Sequence, residues 1–199
     1  MSISYEATGR TKQKQRTRDA LTAAMRQLLR GGVIPTVEDA ADAAGVSRAT
    51  AYRYFPNQGD LLLAANEWVE APSLVLEGLG SDPHERLDAV VARMVESTLE
   101  NEGAYRAMLK LSLEGHVPGE GALELRKGRR LIWVEDALRP VKQQLGPRQF
   151  KRVVRAIAAV IGIEVLVWMT DVAKMSRDEA VATMRWSASA LLRSALDER

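Results

Sequence analysis

The chain contains no cysteine, so disulfide bonds and thiolate metal centres are excluded at the outset. Its two histidines, His84 and His116, are too few and too far apart to suggest a zinc site, and no metal or cofactor is expected. Long hydrophobic runs are also missing. The longest apolar stretch, Ala156 to Thr170, is interrupted by Glu164 and falls short of the roughly 18 residues a membrane span requires. No charged segment followed by a hydrophobic block opens the chain, and a cytoplasmic location is expected. The alternation of apolar and polar residues that marks a strand is almost absent. What is present is 199 residues with 46% hydrophobic content, ample for one large domain or a small domain fused to a larger one.

The net charge of +2 is unevenly placed. Residues 1–60 carry nine Lys and Arg against six Asp and Glu, while the rest of the chain is slightly acidic. The positive charge is densest from Arg10 to Arg18, where Lys12, Lys14 and Arg16 alternate with neutral residues and no acid intervenes. Such a segment suits either a solvated helix start or an arm that meets phosphates.

Helical periodicity dominates from there on. Ala20, Leu21, Ala24, Met25, Leu28 and Leu29 form one apolar stripe, ended by Gly31-Gly32. Thr36 starts a second, short helix with Asp39 in capping-box relation; Val37, Ala40, Ala41 and Ala44 form its buried side, and Gly45 supplies the turn. Ser47 caps a third helix that ends near Phe55, because Pro56 disfavours helical geometry in the residue before it. Two short helices joined by a tight turn and braced by a first helix make a helix-turn-helix. At 100° per residue, Ser47, Ala51, Tyr54 and Phe55 face the packing side, whereas Ala49, Thr50, Tyr52 and Arg53 point away and Arg48 sits at the tip. An outward surface of this composition suits the major groove of DNA: arginine grips guanine, alanine and threonine methyls touch thymine, and hydroxyls bind phosphate. Tyr52 fits a phosphate or a base contact. Tyr54 suits a seam position with its hydroxyl wet as well as it suits DNA, and Ser47 is first of all a cap.

The run "TVEDAADAAGVSRATAYRYFPNQGDLL", Thr36 to Leu63, resembles the DNA-binding signature of the tetracycline-repressor (TetR) family of transcriptional regulators. The resemblance is strong over about residues 15–65 and only architectural beyond. It implies that the third helix enters the major groove through Arg48, Ala49, Thr50, Tyr52 and Tyr54, and that Thr36 contacts a phosphate. Where the family usually has a backbone-binding lysine this chain has Gln58, so that contact would be neutral.

Beyond Asn57 the chain reads as further helices, about nine in all. The fold expected is all-α: a helix-turn-helix DNA-binding domain with a basic arm over residues 1–56, and a helical ligand-binding and dimerisation domain over 57–199. Asp82-Pro83 opens one helix and Ser176 with Glu179 caps the last. Pro140 is expected to kink a helix running from about 122 to 145, in which the charged stretch 126–130 forms a solvated face. Pro147 opens the next, read as continuous through residue 170 with only Arg155 and Glu164 charged from 153 onward. Nearly its whole circumference needs cover, and pairing of the two carboxy-terminal helices with their copies in a homodimer would supply it. Trp68, Met94, Met108, Trp133 and Trp168 are large adaptable groups that suit either core packing or a cavity for a hydrophobic or aromatic small molecule. Glu164 needs a partner: a ligand, an arginine of the same chain, or water.

The function expected is a ligand-responsive repressor that binds a pseudo-palindromic operator. Two rivals are an adaptor that keeps the fold without binding DNA, and a small helical enzyme with Glu164 and His116 as acid and base. No nucleophile, phosphate cradle or metal spacing accompanies the latter pair.

Overall fold

The computed structural model describes residues 3–30, 34–65, 73–114 and 128–197, with side chains described from residue 11 and, before the third gap, up to 113. Ten α-helices and no strand are found among them. They are α1 (Ile3–Arg30), α2 (Val37–Ala43), α3 (Arg48–Tyr54), α4 (Gln58–Ala65), α5 (Pro83–Glu100), α6 (Glu102–Glu114), α7 (Arg129–Ala137), α8 (Lys142–Ala159), α9 (Ile163–Val167) and α10 (Arg177–Asp197). The chain divides into two compact units, one containing α1–α4 and α6 from Gly103 on, the other containing α5 and α7–α10. No single helix among the described residues is long and apolar enough to cross a membrane.

The first unit is built around one apolar cluster. Leu21, Met25 and Leu29 of α1 meet Val37, Ala40 and Ala41 of α2, Ala51 of α3, Phe55, and Leu61, Leu62 and Ala65 of α4. Full burial of a side chain such as Leu61 or Phe55 contributes about 1.5–3 kcal/mol relative to exposure. Ala107 and Met108 of α6 join the same cluster, and Gly103 explains how that helix comes so close. A Cβ at Gly103 would lie 2.9 Å from the Leu29 carbonyl oxygen, so a larger residue there would push α6 off α1. The basic segment from Arg10 to Arg18 is not a separate arm but part of α1. Lys, Gln and Arg are good helix formers, and local bonds such as Gln15 Nε2 to Asp19 Oδ1 (2.8 Å) support the exposed turns.

The second unit packs α5 against α10 and α7, and α8 against α10 and α7. Leu87, Val90, Val91, Met94 and Val95 are the buried side of α5; Ala180, Met184, Ala188, Leu192 and Ala195 are that of α10. Asp82 caps α5 by accepting from the His84 amide (2.8 Å), with Pro83 in the first helical position. Ser176 and Glu179 form a reciprocal cap before α10, the serine amide donating to Glu179 Oε2 (2.8 Å) and the Glu179 amide to Ser176 Oγ (3.2 Å).

Two sequence readings change here. The expected kink at Pro140 is a short 3-10 turn, Arg139–Val141, between α7 and α8, and the non-helical Gly146 (φ 70°, ψ 165°) then makes Pro147 the effective start of a new helical stretch. The helix expected to run through residue 170 breaks at residues 160–162, where Gly162 has φ 112°. Arg130 accounts for the glycine there: its guanidinium carbon would lie 2.6 Å from a Cβ at position 162. The guanidinium donates to the carbonyls of Ala158 (2.8 Å) and Ile161 (2.5 Å), so it caps the end of α8 in the space a side chain would need. Arg130 is therefore not part of a solvated face; residues 126 and 127 of that stretch lie outside the described residues.

Candidate nucleic-acid interface

The recognition surface is assembled from short helices whose ends are fixed by side chains. At the start of α2, the Thr36 amide and hydroxyl both donate to Asp39 Oδ2 (2.8 Å each), and the Asp39 amide donates back to Thr36 Oγ1 (3.1 Å). These bonds, the Thr36 amide first, hold the Asp39 carboxyl below its ordinary range. Gly45 turns the chain at φ 64°, where a Cβ would be strained, and the Val46 amide closes onto the Ala41 carbonyl (2.9 Å). Ser47 Oγ accepts from the Thr50 amide (3.3 Å) and donates to the Thr50 hydroxyl (2.9 Å), so α3 begins on a defined cap. It ends at Phe55, whose extended backbone (φ −135°, ψ 91°) precedes Pro56.

With its inner side seated through Ala51 and Phe55, α3 leaves Arg48, Ala49, Tyr52 and Arg53 exposed, while Thr50 is half-buried beside its cap. Tyr54 is half-buried against the core, and the Arg53 guanidinium lies 5.8 Å from the centre of its ring. Thr36 is exposed at the start of α2. Gln58 is half-buried and donates through its amide to the Pro35 carbonyl (2.6 Å), which braces the strand of chain entering α2. Lys12, Lys14 and Arg16 are exposed on α1, whereas Arg18 stacks over the Phe55 ring at 4.7 Å from its centroid.

Two acids enter the surface that the sequence did not single out. Glu38 accepts a 2.5 Å hydrogen bond from the Tyr52 hydroxyl, and Asp42 stands 3.9 Å from the Arg48 guanidinium. The pairing has a sequence signal: two acids one turn apart on α2 face an arginine and a tyrosine one turn apart on α3. The Tyr52 bond, then the residue's own amide, hold the Glu38 carboxyl below its ordinary range, and Glu38 in turn raises the Tyr52 hydroxyl above its own.

The candidate ligand residues are dispersed. Trp68 and His116 lie outside the described residues. Met108 belongs to the core of the first unit; in the second, Met94 is buried in α5, Trp133 of α7 is half-buried and Trp168 is 58% exposed. Glu164 finds an arginine of its own chain: Arg130 Nη2 donates to Glu164 Oε2 at 2.9 Å. A small cleft between α5 and α10 is lined by His84, Leu87, Asp88, Val91, Arg185, Ala188 and Ser189, and not by Met94, Trp133, Glu164 or Trp168 of the same unit. No group of three or more His, Asp or Glu suited to a metal ion occurs among the described residues.

Residues 20–65 match the family model described as "Bacterial regulatory proteins, tetR family". The HTH-type transcriptional repressor LfrR of Mycolicibacterium smegmatis is 34% identical over 87 residues, covering 44% of this chain and 46% of that protein, so the chain spans about half the length of this curated relative. The crystal structure of a tetR-family transcriptional regulator from Streptomyces coelicolor superimposes with a TM-score of 0.59, covering 91% of this chain and 82% of that one. At 19% identity the likeness concerns the fold alone.

Proposed function

We propose, from the match of residues 20–65 to the tetR-family model, that the chain is a regulator of that family: a cytoplasmic, ligand-responsive repressor that binds a pseudo-palindromic DNA operator as a homodimer. The observation that carries this reading is the outward row Arg48, Ala49, Tyr52 and Arg53, held on a capped helix whose opposite side is locked into a core. Such a helix presents charge, methyl and hydroxyl groups to base edges without reorganising, and the exposed Lys12, Lys14 and Arg16 add phosphate-directed charge. The relative named as a transcriptional repressor supports the direction of regulation.

The second unit supports dimerisation through its carboxy-terminal helices. Trp168, Val172 and Trp186 are exposed by 58%, 64% and 66%, large apolar side chains that a second copy would cover. Burial against a second copy would remove that surface and hold two recognition helices to inverted half-sites. A hydrophobic or aromatic effector bound by the helical carboxy-terminal part of the chain would relieve repression. It would act only through a difference in affinity between two states of the dimer, and a coupling of about 1–3 kcal/mol would change operator affinity about 5- to 150-fold. No enzymatic role is proposed, since the Glu164 carboxylate is engaged by Arg130.

Titration of duplex DNA at two salt concentrations, with sedimentation of the free protein, tests the reading. Steeply salt-dependent binding by a dimer is expected. A monomer, or a protein indifferent to DNA at low salt, would overturn it. An effector that saturates the protein without changing operator affinity would exclude induction by that molecule.

A further inference from the structure

We propose that Glu38 is a specificity-determining positioning residue: by accepting the hydrogen bond of the Tyr52 hydroxyl it leaves that oxygen as an acceptor that selects an amino-bearing base, adenine or cytosine, on one strand. The inference rests on the DNA-binding reading above and adds to it what Tyr52 reads. A tyrosine hydroxyl has one proton and two lone pairs. Here the proton is directed to Glu38 Oε1 at 2.5 Å, the short distance of a charge-assisted bond. Phosphate oxygens only accept, so a tyrosine held this way has nothing to donate to them, and the adjacent carboxylate repels them. In the major groove the complementary donors are adenine N6 and cytosine N4, whereas guanine O6 and thymine O4 present acceptors.

The neighbouring pair behaves differently. Arg48 and Asp42 stand 3.9 Å apart with side chains 68% and 69% exposed, a long ion pair that water screens. Arg48 is thus readily released toward guanine or phosphate, while Tyr52, 40% exposed, is held in one direction from α2. A carboxylate and a tyrosine together therefore give one polar probe of fixed sense, set one turn from an exposed cation.

The test compares sites selected from a random duplex pool by the full-length protein and by Y52F, E38A and E38Q, each first checked for an unchanged melting profile. The wild type should favour A or C over G or T at one position of each half-site by roughly 3- to 10-fold, the range of a single net hydrogen bond. Y52F and E38A should lose that preference at the same position, and the Y52F/E38A double variant should lose no more than either. E38Q keeps an acceptor oxygen for the hydroxyl and should retain it. An E38A profile identical to wild type, a preference lost in E38A but kept in Y52F, or a uniform loss of affinity with the preference intact would each overturn the proposal. Failure of the wild type to select any sequence would instead overturn the DNA-binding reading on which it stands.

Discussion

The two units of this chain fix their helix ends with a different balance of local and distant partners. In the first, the groups that stop and start helices are three residues apart in sequence: Thr36 with Asp39, Ser47 with Thr50, and Asn57, whose Oδ1 accepts from the Asp60 amide at 2.9 Å. Both units also meet carbonyls at helix ends with guanidinium groups from far along the chain, the first through Arg26, whose Nε donates to the Ala65 carbonyl at the end of α4 (2.7 Å), and the second through two arginines. Arg86 donates to the carbonyls of Asp136 (3.0 Å) and Ala137 (3.1 Å) at the end of α7, and Arg130 donates to those of Ala158 and Ile161 at the end of α8. Local caps leave the outer positions of α2 and α3 without packing duties, and that is where the candidate interface lies. Long-range caps tie helices of the second unit to one another, so that its polar side chains serve the fold first.

The sharpest way to break this comparison is in the core of the first unit. Phe55→Ala removes a side chain 1% exposed from the first unit and should cost about 3–5 kcal/mol, read as a lower denaturation midpoint together with loss of DNA binding. A smaller effect is expected from Arg130→Met, which leaves the Glu164 carboxylate and two carbonyls without that partner. With these side chains 25% and 32% exposed, water offsets part of the loss, and a cost of about 1–3 kcal/mol is expected in denaturant titration. Adding Glu164→Gln to that variant should recover part of it; full additivity would show that the pair is not coupled. Ser47→Ala, a local cap, should cost about 1 kcal/mol, mainly in the first unit. A larger loss for Ser47→Ala than for Arg130→Met would invert the ordering.

The smallest effect is in pH. The Asp39 carboxyl is held below its ordinary value by the Thr36 amide and hydroxyl, and Glu179 likewise by the amide and hydroxyl of Ser176. For a depressed carboxyl the stabilisation is present above the unfolded value, about pH 4, and is lost as pH falls through the lower folded value. Melting temperature should therefore fall on acidification, and less steeply in Asp39→Asn and Glu179→Gln. Equal slopes in wild type and variants would show that these caps do not contribute.

The same contrast explains what was legible in the sequence. Capping boxes at Thr36 and Ser176, the turn at Gly45 and the stop before Pro56 are short-range chemistry, and a window of a few residues contains both partners. The outward positions of α3 follow from helical angle once Ala51 and Phe55 are assigned to the core. What was not legible depends on distant partners. Nothing near Gly162 announces that Arg130 fills the space beside it, so a continuous apolar helix was expected where the chain breaks. Gly103 shows its purpose only when Leu29 lies against it. Glu38 and Asp42 show their partners, Tyr52 and Arg48, only with α3 lying beside α2. The identity of a ligand is harder still, because tryptophan and methionine suit a core and a cavity equally.

The most direct measurement is the relative affinity of wild type and Arg48→Ala for a duplex recovered by selection and for variants of it at each base pair. The prediction is an inverted repeat in which Arg48→Ala weakens binding by about 1–3 kcal/mol and loses discrimination at one base pair per half-site. Recovery of no repeat, or a loss shared equally by every duplex, would contradict the assignment of the α3 surface as a reader of sequence.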